Sequence, residues 1–327
     1  LLKHVSRPPR VASRSSSGML SPLHAFHLAA IPAPPWRLWH DILPANRDAE
    51  LERAFSRAAR YGEMLGSHRS KFHSLCADGK RPVRFGKGGE HMVCGPAPAN
   101  STRCNFISFG IRDDPSFDVH LANTWRCRGF AGDPSITHPS KLHPTVTFHN
   151  IGLKMLRPNV EQQRNPANEW LLTTLPSLRS FLGLSYLDVM KIDCEGCEVA
   201  LARDILAEDP SFLTNVGQIS IETHATTQWV NSTEELYYYA LMFPLLEDAG
   251  FSLIWSSVFG CGRHEHAGCR PEMGQKMKMA CGSRSRGRRN LVPVGWSCHD
   301  WLWARVDSAA SLAHRTIPAH KGRSRSA

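Results

Sequence analysis

The sequence predicts an α/β fold on a mostly parallel, doubly wound sheet, seven strands wide with an antiparallel hairpin at one edge. Three observations carry this prediction. From Asn105 onward, short apolar runs of strand length alternate with amphipathic stretches of helix length, the pattern of a parallel sheet covered by helices. Several runs end in Gly, Asp or Glu, at the carboxyl ends where an open sheet of this kind gathers its ligands. The last two runs, FSLIWSSVFG and CHDWLWARV, are joined by a long Gly- and Arg-rich excursion rather than a helix, which suits an edge hairpin.

Taken in chain order, residues 1–45 are rich in Pro, Ser and Arg without periodicity and read as a disordered leader or targeting segment. The absence of Asp and Glu from the first forty residues resembles an organelle transit peptide. Residues 46–100 form a helical and Cys-containing extension. Within it DAELERAFSRAARYGEML, Asp48 to Leu65, spaces Leu, Ala and Phe for a helix, and the text from Gly66 to Ser101 is loop-like. The main domain spans 101–308. NFISFG is its first strand, and Asp113 or Asp114 caps the following helix with Pro115 in its first turn. RGFAGDPS and TVTFHNIGL are the second and third strands, and YLDVMKIDCEG is a buried fourth after the helix PSLRSFLGL. CEVALARDILAED is a helix, VGQISIETH a fifth strand and TEELYYYALMFPLLEDAG a helix stopped by Gly250. A loop insert at 261–295 and a basic disordered tail at 309–327 complete the chain.

At 327 residues with 42% hydrophobic and 21% charged content, the composition is that of a globular protein. No run approaches the ~18 apolar residues of a membrane span. The net charge of +10 gathers in the leader, in SRSRGRR (Ser283 to Arg289) and in the tail, so it describes appendages; nucleic acid stays open as a partner on that ground. Ten cysteines are many for a cytosolic enzyme. Cys76, Cys94, Cys104 and Cys127 cluster around the first β–α unit, and sequons stand at Asn100 and Asn231, both compatible with a secretory compartment without fixing it. Cys194 and Cys197 are expected to be free and buried. CGRHEHAGC (Cys261 to Cys269) is not spaced as a standard zinc finger, so a loop or one disulfide is expected and no metal site is assigned.

The candidate site gathers at the strand ends. Gly110 closes the first strand and lets the backbone approach a ligand, with Ser108 just before it. This is one glycine rather than G-x-G-x-x-G, so a pyrophosphate cradle is poorly supported. Asp133, at the second strand end, suits the two hydroxyls of a ribose. Asn150 and Gly152, at the third, are placed to line an adenine pocket. In KIDCEGCE, Asp193, Glu195 and Glu198 crowd three carboxylates into six residues. They repel unless a cation compensates, whether a sulfonium, a metal or a substrate amine. Glu198 is assigned to a first helical turn, where the dipole favours an acid. His224, after Glu222 on the fifth strand, is a candidate proton acceptor as a neutral imidazole.

The series SFGIRDD-x-SFD, FAGDPS, KIDCEGCE and ISIETH resembles the FkbM-type S-adenosylmethionine (SAM)-dependent methyltransferases and the eukaryotic methyltransferase-like proteins related to them, over about Asn105 to His224. The resemblance implies a Rossmann-like class I methyltransferase with SAM as cofactor, held by Ser108, Gly110, Asp133, Asn150, Asp193 and Glu195. Asp193 and His224 would be the catalytic residues, and the methyl acceptor an oxygen, or a nitrogen, of a small molecule or glycan. RNA or protein acceptors, a nicotinamide oxidoreductase and a non-catalytic protein of the same fold are the competing classes.

Overall fold

The computed structural model describes residues 36–65, 72–87, 91–95, 104–157, 169–224, 229–259 and 298–305, all within one unit. Most of the leader, the sequon at Asn100, the insert with its Cys/His cluster, and the basic tail lie outside them.

The stretch read as an extension is built into the fold. Helix α1 (Arg47–Leu65) buries Leu51, Ala54, Phe55, Ala58 and Tyr61 at helical spacing. Three short strands follow where the sequence suggests only loop: β1 (Phe72–His73), β2 (Val83–Phe85) and β3 (His91–Val93), the last two forming a hairpin. Next come β4 (Asn105–Phe109), α2 (Ser116–Trp125) and β5 (Arg128–Gly132). Pro115, not an aspartate, occupies the N-cap of α2, and Asp114 instead accepts the Ser116 N–H at 3.0 Å. After an unpredicted edge strand β6 (Lys141–His143), the predicted third strand is interrupted: β7 (Val146–His149) belongs with β6 to the main sheet, whereas β8 (Ile151–Leu153) pairs with β9 (Leu171–Thr173) in a sheet of its own. Then follow α3 (Leu175–Phe181), β10 (Leu187–Ile192), a 3-10 turn at Cys197–Ala200, α4 (Leu201–Glu208), β11 (Val216–His224), α5 (Thr233–Asp248), β12 (Phe251–Phe259) and β13 (Cys298–Arg305).

The main sheet has nine strands in the order β1-β12-β13-β11-β10-β4-β5-β7-β6, two more than expected. The five strands from β11 to β7 are parallel, and β13 enters antiparallel between β11 and β12. The additions are the edge strands β1 and β6, two and three residues long and both antiparallel to their neighbours. All six residues of β10 are buried, as a central parallel strand covered on both faces requires.

Helix α5 organises one face of this sheet. A capping box of Ser232 and Glu235 starts it. Tyr237, Tyr238 and Tyr239 are all fully buried, and their hydroxyls find partners: Tyr237 donates to the Arg37 carbonyl at 2.8 Å, and Tyr238 accepts the Trp39 N–H at 2.8 Å. At its far end Glu247 and Asp248 hold Arg57 of α1 at 2.6 and 2.7 Å. No helix among the described residues is long and apolar enough to cross a membrane.

Every cysteine among the described residues is in a disulfide. Cys76–Cys94 and Cys104–Cys127 pair within the cluster seen in the sequence. Cys194–Cys197 corrects the expectation of free thiols, because the Glu195–Gly196 turn brings the two residues to a Cα separation of 5.6 Å.

Candidate functional site

A cleft of about 540 Å³ opens at the carboxyl ends of β4, β5 and β10. It spans the point where the strand order reverses, β4 being followed on one side by β5 and on the other by β10, which is where open α/β sheets bind ligands.

Gly110 forms its floor. Its φ is +74°, and a Cβ there would stand 1.4 Å from the Asp193 carbonyl oxygen, so only glycine lets the ends of β4 and β10 run this close. Its N–H donates to the Gly132 carbonyl at 3.1 Å and its carbonyl accepts the Lys191 ammonium at 2.6 Å. Asp133, 4% exposed, ties the floor to the wall. One carboxylate oxygen accepts the Arg112 N–H at 2.9 Å; the other accepts the Ser135 N–H at 2.9 Å and its hydroxyl at 2.7 Å. Arg112 sits at φ +47° to make this bond.

Asp193, Glu195 and Gly152 also line the cleft. Two predicted cofactor residues do not. Ser108 is wholly buried in β4. Asn150 is exposed outside the cleft and donates its amide to the Ile136 carbonyl. Residues the sequence did not single out supply much of the wall: Phe85 and His91 from the hairpin, Asp118 from α2, Trp170, Lys191 and Asp300. His91 stands in a stretch without periodicity, so no local pattern marks it. Lys191 is legible only once β10 is known to be buried on both faces.

Two of the three carboxylates of KIDCEGCE, those of Asp193 and Glu198, are compensated by the protein itself, and Glu195 is exposed. Lys191 lies 3.4 Å and His91 3.5 Å from the same oxygen of Asp193. Burial alone would raise the Asp193 pKa, but Lys191, His91 and His224 hold it well below the usual carboxylate range. Glu198 does lie in a first turn, of the 3-10 segment, but a helix dipole is a minor part of its surroundings. It is 0% exposed, accepts the Gly196 and His224 N–H groups at 2.8 and 2.9 Å, and meets the His224 Nδ1 at 3.0 Å.

The other ring nitrogen of His224, Nε2, lies 3.0 Å from Glu222. Burial disfavours the imidazolium, yet Glu198 and Glu222 outweigh it and push the His224 pKa up to about 11. The two carboxylates thus favour the imidazolium over the neutral base expected from the sequence. Glu222 faces the cleft, and burial raises its own pKa. Asp118, 1% exposed, is pushed up to about 6 by burial, against the Lys191 charge and the Ser108 hydroxyl.

No family model matches the chain, and no curated protein matches it. A solved structure of the plantazolicin methyltransferase BpumL in complex with SAH aligns over 80% of this chain and 86% of that one, at 12% sequence identity and a TM-score of 0.25. A likeness at that score carries no argument about what this cleft does.

Proposed function

We propose that the protein is a SAM-dependent methyltransferase acting on an oxygen, or a nitrogen, of a small molecule or glycan. The charge of the cleft is the observation that carries this. Eight carboxylates line it against three lysine and arginine side chains, in a chain whose net charge is +10. Such a cleft favours a cofactor bearing a sulfonium and an ammonium over a dinucleotide, whose pyrophosphate is anionic and seeks a glycine-rich helix start. The single glycine at Gly110 and the antiparallel β12–β13 edge fit the same choice. The preference for oxygen rests on the FkbM resemblance alone.

In the reaction, a lone pair on the acceptor attacks the methyl carbon, the carbon–sulfur bond breaks, and the sulfonium becomes the neutral thioether of S-adenosylhomocysteine (SAH). The acceptor proton leaves to solvent. With His224 favoured as the imidazolium, the reading assigns the rate to holding the two reactants in line. Asp133 is assigned to the ribose and Gly110, Asp193 and Glu195 to the aminoacyl side of the cofactor.

Turnover of SAM against pooled glycans, phenols, RNA and proteins tests the acceptor class. Methylation confined to the glycan or phenol pools is expected; labelling confined to RNA or protein would contradict the acceptor assignment. Asp133→Ala is expected to lose SAM binding while the melting transition stays cooperative. Unaltered affinity in that variant would show that the cofactor lies elsewhere.

A further inference from the structure

We propose that Asp193, Glu222 and His224 bind a single divalent transition-metal ion on the wall of the cleft. Each residue offers one ligand atom, and these atoms lie within 4.8 Å of one another. At ordinary carboxylate and imidazole bond lengths of about 2.0–2.2 Å one ion spans at most about 4.4 Å between two ligands, so binding draws together any pair of these atoms wider than that. The ligands stand on rigid elements. Asp193 directly follows β10, Glu222 and His224 are two apart on β11, and the strands pair in parallel with Ile192 beside Ile221. Alternation along a strand then turns Glu222 and His224 to the same side.

A second observation comes from outside the ligand set. Glu198 is a carboxylate with 0% exposure, and it fixes the Nδ1 of His224. Metal-binding imidazoles almost always present their other nitrogen to a carboxylate or carbonyl, which sets the tautomer and raises the basicity of the ligating atom. Here Nδ1 is engaged by Glu198, and Nε2 is the atom turned towards Glu222. The ion replaces the Nε2 proton, which leaves to solvent. Lys191 and His91 both bear on Asp193, an electrostatic cost that Glu198, Glu222 and the acidic cleft offset. Two carboxylates with an imidazole suit Mn²⁺, Fe²⁺ or Zn²⁺ better than Ca²⁺. Asp193 and Glu222 face the cleft, so an acceptor hydroxyl can complete the coordination and be acidified there. That last role rests on the methyltransferase assignment; the site itself does not.

The test uses the full chain with its disulfides intact, treated with chelator and then titrated with Mn²⁺ while the free-ion paramagnetic resonance signal is followed. One Mn²⁺ per chain is expected, displaced by Zn²⁺, with a nitrogen coupling from a bound imidazole in the spin-echo spectrum. Glu222→Gln and Glu198→Gln should bind at least about tenfold more weakly, whereas Glu208→Gln, whose carboxylate is engaged by Thr174 and Ser177, should match the wild type. No binding below about 1 mM, or binding without nitrogen coupling in the wild type, overturns the proposal even where a variant fails to fold. SAH titrated into the same metal-free protein separates the two claims: SAH binding without Mn²⁺ binding sinks the metal site alone, and the converse sinks the cofactor assignment alone.

Discussion

At Gly110 the backbone leaves no room for a methyl group, with the Asp193 carbonyl oxygen 1.4 Å from where a Cβ would be. Gly110→Ala also forces alanine to φ +74°, and the two effects together should cost about 2 kcal/mol or more, read by denaturant titration. A variant as stable as the wild type would mean that β4 and β10 do not approach this closely. Asp118 supplies a pH-dependent prediction. Burial holds its pKa at about 6, above the ordinary carboxylate value of 3.8, so the folded state binds the extra proton between those values. Stability linked to Asp118 is full below the lower value and is lost as pH rises through about 6. Asp118→Asn should therefore stabilise more at pH 8 than at pH 4, by up to about 3 kcal/mol. Thermal melts at the two pH values read this, and an equal effect at both would refute the buried, ionisable assignment. In the sequence, the acids of KIDCEGCE were legible as a cluster. Their partners were not, because Glu198 and His224 are 26 residues apart and His91 lies in another element.

The strands with long apolar runs were legible at the level of elements, since β4, β10, β11 and β12 each carry enough buried residues to show a pattern. Strands β1 and β6 were not, because two or three residues at a sheet edge hold no periodicity. The helix α1 was legible as a helix but not as part of the core. Its Tyr61 ring packs 5.7 Å from Phe243 and 4.8 Å from Trp303, contacts that no local pattern encodes. A fragment of residues 101–308 should therefore lose the cooperative melt of the whole chain, because α5 would expose an aromatic face. A fragment melting as sharply as the full protein would restore a boundary near residue 101. The Cys104–Cys127 disulfide closes the start of β4 onto the entry to β5, across a separation of 23 residues. Replacing both cysteines by serine should cost about 3 kcal/mol in a denaturant titration; an unchanged midpoint would show that the bridge adds no constraint.

Across the whole molecule, the strand order decides where a ligand can sit and the charge decides which ligand it is. The reversal between β5-β4 and β10-β11 was implicit in the alternating pattern, although the sheet width was not. The overall charge of +10 gathers in the leader, the SRSRGRR block and the tail, whereas the cleft itself is acidic; only the fold reveals that, by bringing carboxylates at the ends of β5 and β10 and on β11 and α2 to one place. A cation-bearing cofactor in that cleft is the central claim. Calorimetric titration of the full chain with SAM, SAH and NAD⁺ tests it most directly. Saturable heat with SAM and SAH and none with NAD⁺ is the predicted result; a folded protein that binds NAD⁺, or neither SAM nor SAH, would contradict it.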